Sequence, residues 1–129
     1  MPKILVIEDD FDMVAAIRMP LEANDYEVFE AATGAEGLEK VKEVEPDLII
    51  LDVMMETTTA GFQVSLKLRN PDPESEYAAY RDIPIVMLTA IHTTTPLRFA
   101  PDEEYLPVDK FLDKSVDPDK LLATIRELI

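Results

Sequence analysis

Cysteine and tryptophan are absent from this 129-residue chain, and glycine occurs only three times. Without thiols there can be no disulfide, no zinc–thiolate site and no thiol nucleophile. The scarcity of glycine, with no repeat or low-complexity run, excludes collagen-like, solenoid and disordered classes. No apolar run approaches the roughly 20 residues that span a bilayer. The opening MPKILVIEDD turns acidic too early for a secretory signal. Basic residues are also few, with 12 Lys and Arg against 27 Asp and Glu and a formal net charge of −15. Phosphate backbones are bound by clustered cations, so direct nucleic-acid contact is not expected of this chain. The cytoplasm is the simplest compartment for such a sequence.

What is present is a 47% apolar composition, enough for one compact domain over residues 1–129. Strand-like and helix-like stretches alternate. KILVI (3–7), YEVFEA (26–31), DLIILD (47–52), PIVML (84–88) and DKFLD (109–113) read as strands. Helical periods run over 11–23, 35–44 and 61–69, and Pro20 is expected to kink or shorten the first of them. A last helix opens with Asp117 as N-cap and Pro118 at its first position, then presents Leu121, Leu122, Ile125 and Leu128 on one face. NPDPESEYAAYRD (70–82) reads as a long polar connection. This alternation predicts an α/β fold, a parallel sheet covered on both sides. Functional groups in such sheets gather at the carboxyl ends of the strands.

Those ends carry Glu8, Asp9 and Asp10 after the first strand, Asp52 after the third, Thr89 after the fourth and Lys114 after the fifth. Carboxylates converging on one edge repel one another, and a hard divalent cation removes that penalty; Mg²⁺ suits a few carboxylates, a carbonyl and waters. Asp52 could then act as ligand and as nucleophile toward a phosphoryl donor. An ammonium and a hydroxyl such as Lys114 and Thr89 are the types that stabilise transferred phosphoryl oxygens.

In ILVIEDD, DLIILDVMM, PIVMLTA and DKFLDKSVDPDKLL, in that order, the chain resembles the receiver domain of two-component response regulators. The resemblance implies a flavodoxin-like doubly wound sheet of five strands in the order 2-1-3-4-5. It implies that Asp52 is the phosphoacceptor and that Glu8 and Asp9 hold Mg²⁺ with Asp52 and the Met54 backbone carbonyl. Thr89 matches the switch hydroxyl, Phe111 the aromatic that turns inward on activation, and Lys114 the lysine that pairs with the phosphoryl group. The implied donor is a sensor histidine kinase or phosphotransfer protein, and the output is contact with a downstream protein. Such a chain is a signalling domain and no enzyme beyond catalysing its own phosphotransfer and dephosphorylation.

Several positions depart from the family pattern. Glu56 stands where a proline is usual, Gly61 comes one residue late, and Ser115 replaces the proline after the lysine. Pro96, Pro101 and Pro107 leave no room for an ordinary fourth helix in 91–108, so a loop exposing Leu97, Phe99, Tyr105 and Leu106 is expected there. Met54 and Ile91, two residues beyond Asp52 and Thr89, are apolar and orient no water, which implies slow self-dephosphorylation. Plainer readings stand beside these. Asp52 could cap a turn, EDD could be a helix-start charge run with Asp10 serving the helix, Lys114 could be a surface lysine, and Phe111 and Thr89 ordinary strand residues. His92 reads as a solvated loop residue. Haloacid-dehalogenase-like phosphatases need a second aspartate where Met54 stands, and a flavin carrier needs a phosphate loop where EDDFDMV stands. A degenerate receiver that binds partners without phosphorylation is the remaining alternative.

Overall fold

The computed structural model describes residues 2–52, 60–70, 72–89, 110–113 and 117–129, with 60–63, Thr89, Phe111 and Asp113 as backbone alone. Five parallel strands form one sheet in the order β2-β1-β3-β4-β5: β1 (Lys3–Ile7), β2 (Glu27–Ala31), β3 (Leu48–Asp52), β4 (Ile85–Thr89) and β5 (Lys110–Asp113). The helices between them are α1 (Phe11–Ala23), α2 (Gly34–Val44), α3 (Ala60–Leu68) and α4 (Pro118–Leu128). The doubly wound order expected from the sequence is therefore the one found. The segment 91–108, with Leu97, Phe99, Tyr105 and Leu106, lies outside the described residues, as does the Lys114–Ser115 bond. Among the described residues, no helix is long and apolar enough to cross a membrane.

Successive side chains of a strand point to opposite faces, and that period of two divides the core into two layers. Ile4 and Val6 of β1, Leu48 and Ile50 of β3, and Val86 and Leu88 of β4 pack with Val14, Ile17 and Leu21 of α1 and Leu121, Leu122 and Ile125 of α4. Leu5 and Ile7, Ile49 and Leu51, and Ile85 and Met87 pack on the other side with Leu38 and Val41 of α2 and Val64 and Leu68 of α3. All five residues of β3 are buried, as a central parallel strand with both faces covered requires. Each large apolar side chain hidden in this way contributes about 1.5–3 kcal/mol.

Local signals explain the helix boundaries. The Asp117 side chain accepts from the Asp119 N–H at 2.8 Å, and Pro118 follows at the first helical position, where its missing N–H costs nothing. At α2 the Thr33 hydroxyl accepts from the Glu36 N–H at 3.1 Å, while Glu36 accepts in return from the Ala32 N–H at 3.4 Å. That helix stops at Glu45, which takes the left-handed conformation (φ 53°) ahead of Pro46. Pro20 does not shorten α1, which continues to Ala23. The proline removes one hydrogen bond to Ala16, an exposed residue, while Ile17 and fully buried Leu21 hold the turns on either side against the sheet. Tertiary packing outweighs the local defect. β4 starts one residue beyond Pro84, whose carbonyl accepts from the Ile49 N–H at 2.9 Å.

The connection from α3 to β4 is more than a polar loop. Tyr77, Tyr80 and Ile83 pack against the α2–α3 layer, around a short 3₁₀ turn at Ala78–Tyr80. Arg81 donates to the carbonyls of Asn70 (2.9 Å) and Asp72 (3.1 Å), and Arg69 donates to the carbonyl of Ile83 (3.0 Å). Lys42 of α2 pairs with Glu76 at 2.6 Å and sits 4.8 Å from the centre of the Tyr77 ring. Its hydrogen bond to Glu76 raises the Lys42 pKa above its ordinary value, and the same bond lowers that of Glu76.

Close packing also fixes one glycine. A Cβ on Gly37 of α2 would meet Cδ1 and Cγ1 of buried Ile7 at 2.5 and 2.8 Å, so the helix reaches β1 only because position 37 has no side chain. Gly37→Ala is expected to destabilise the fold by roughly 1–3 kcal/mol through overpacking, despite a better helix propensity. Ile7→Val, which trims the closest atom, should cost less in that background than alone. Urea unfolding of the double-mutant cycle reads this, and strictly additive costs would show that no clash exists.

Candidate functional site

The register of the sheet brings two acids together before any helix is considered. Ile7 of β1 pairs with Leu51 of β3, so the next step along both strands sets Glu8 beside Asp52. Both continue the alternation that faces α1 and α4, after Ile4 and Val6 on one strand and Leu48 and Ile50 on the other. The Glu8 N–H is held by the carbonyl of Ala31 at the end of β2, at 3.0 Å, which extends the pairing one residue beyond β1. Glu8 is 3% exposed and Asp52 1%.

Asp9 joins them from the bend between β1 and α1 and is solvent-exposed. One carboxylate oxygen from each of Glu8, Asp9 and Asp52 lies within 4.8 Å of the other two. Asp10 is used differently. Its Oδ1 accepts from the N–H groups of Asp12 (2.9 Å) and Met13 (3.3 Å), and its own N–H donates to Glu8 Oε1 at 3.3 Å. The third acid of the EDD run is thus the N-cap of α1, as the reading of Asp10 as a helix starter anticipated. With α1 starting here, the positive end of its dipole lies close to the acids, an effect worth about 0.3–1 kcal/mol per charge.

That support is small beside the repulsion. Two unit charges 4 Å apart repel by about 4 kcal/mol at an effective dielectric near 20, and burying a carboxylate costs several kcal/mol more. A hard dication is the economical counter-charge. All three groups offer oxygen, no nitrogen or sulfur ligand is among them, and Mg²⁺ takes such donors while keeping several waters. The residues present fit that ion.

Of the remaining candidates, the backbone brings Thr89 to the same edge. Leu88 pairs with Asp52, and Thr89 follows it as the last residue of β4. Thr89 pairs in turn with Asp113, the last residue of β5 and the neighbour of Lys114. Phe111 lies in β5 opposite Met87. Met54 and Lys114 fall outside the described residues. Among the described residues, Glu8, Asp9 and Asp52 form the group of acids or histidines close enough to share an ion.

The family model described as "Response regulator receiver domain" matches residues 4–126. The chain belongs to that family. Receiver domains are signalling domains of two-component systems, and they bind Mg²⁺ at an acidic pocket. The receiver is 33% identical over its full length to the DNA-binding dual master transcriptional regulator RpaA of Synechocystis, covering 49% of that protein. It is 31% identical, over 98% of its length, to the alkaline phosphatase synthesis transcriptional regulatory protein PhoP of Bacillus subtilis, covering 48% of it. The chain therefore spans about half the length of these curated relatives. Its fold matches the Vibrio cholerae chemotaxis protein CheY4 with a TM-score of 0.80 and 27% identity, covering 100% of this chain and 99% of that one.

The division of labour within EDD is open to a direct check. Asp10→Ala is expected to lower stability by about 1 kcal/mol, the usual value of an N-cap. Asp10→Asn, which keeps a capping oxygen and removes a like charge, should be neutral or stabilising. Equal losses in thermal unfolding for the two variants would contradict the capping role.

Proposed function

We propose that this receiver, over residues 1–129, takes a phosphoryl group onto Asp52 in a Mg²⁺-dependent reaction and signals through protein contacts. The observation that carries the reading is the convergence of Glu8, Asp9 and buried Asp52 at the carboxyl end of the central strands. Glu8, Asp9 and Asp52 would hold Mg²⁺ together with the Met54 carbonyl. A bound Mg²⁺ would supply positive charge at the phosphoryl oxygens and offset the repulsion among the acids. An Asp52 carboxylate oxygen attacks phosphorus, the P–N bond of a phosphohistidine breaks, and the electron pair returns to the imidazole. The product is an acyl phosphate.

The helix-side burial of Asp52 favours this chemistry. Burial leaves the Asp52 carboxylate poorly hydrated, so little solvation has to be stripped from it before it attacks phosphorus. Thr89 and Lys114 are assigned the oxygens of the transferred group, and Phe111 the space that Thr89 leaves when it moves. Phosphorylation adds about −1.5 to −2 charges at one point, and that charge biases a two-state surface toward a partner. The donor is a sensor histidine kinase or phosphotransfer protein, the target a second protein, and the compartment the cytoplasm. Curated relatives are named as transcriptional regulators, one of them as DNA-binding. For this chain's own residues the net charge of −15 still speaks against contact with nucleic acid.

Incubation with acetyl phosphate and Mg²⁺, read by intact mass, is expected to add one phosphoryl group to the wild type and none to Asp52→Ala. Lack of transfer to a folded wild type, under conditions where its Mg²⁺ site is filled, would favour the phosphorylation-independent receiver. Once formed, the acyl phosphate should be long-lived, because Met54 and Ile91 supply no group to orient an attacking water. Replacing Met54 with Asn or Glu is expected to accelerate its loss several-fold, and rapid phosphate release from the unassisted wild type would oppose this.

A further inference from the structure

We draw no further inference here: the strongest candidate, the apolar groove between α1 and α4 lined by Met13, Ala16, Pro20, Leu88 and Leu121 with Met19 exposed on the same helix, carries nothing because no feature of the structure shows what covers it.

Discussion

Three carboxylates within 4.8 Å of one another, two of them buried, are retained by a folded chain only against their own repulsion. The sheet supplies the force that holds them. Glu8 and Asp52 are the next residues after fully buried apolar runs on adjacent strands, and moving either acid away would drag Ile7 or Leu51 out of the core. Hydrophobic burial spread over two layers is thus set against a concentrated electrostatic cost at one edge. The result is a site of three converging carboxylates whose oxygens suit a divalent cation.

The parity of the strands decides which side of the sheet carries that site. Even-numbered residues of β1, β3 and β4 face α1 and α4, and both buried acids continue that set. α1 therefore begins directly beside the acids, capped by Asp10, and its dipole and backbone N–H groups are part of the site's electrostatics. On the opposite side, the Lys42–Glu76 pair, the Tyr77 ring and the arginine bonds to loop carbonyls tie the α3–β4 connection to α2 and α3. That arrangement leaves the two sides of one sheet unlike in kind. One carries the start of the acidic site, and the other carries an ordered strap.

Much of this was legible in the residues. Apolar runs marked all five strands to within a residue or two, and Asp117–Pro118 marked the start of α4 because cap and first-turn chemistry are local. The convergence of Glu8, Asp9 and Asp52 followed from topology, since strands next to each other in a parallel sheet end at the same edge. Where local signals misled, tertiary contacts had the larger energy. Pro20 reads as a residue that kinks or shortens the first helix, yet α1 runs on to Ala23 with Ile17 and Leu21 anchoring it on both sides of the proline. The connection over 70–82 reads as long and polar, yet Tyr77 and Tyr80 find the α2–α3 layer, and its contact with α2 joins segments more than thirty residues apart. The need for glycine at position 37 was likewise invisible, because it depends on how closely α2 approaches Ile7.

Calorimetric titration of the wild type and of Asp9→Asn with Mg²⁺ goes most directly to the central claim, because Asp9 is the exposed member of the three acids and its replacement leaves the core intact. The account calls for a single saturable site in the wild type, an accompanying rise in unfolding temperature by mass action, and an affinity at least ten-fold weaker in the variant. Heats of dilution alone in the wild type, or equal affinities in the two proteins, would contradict it.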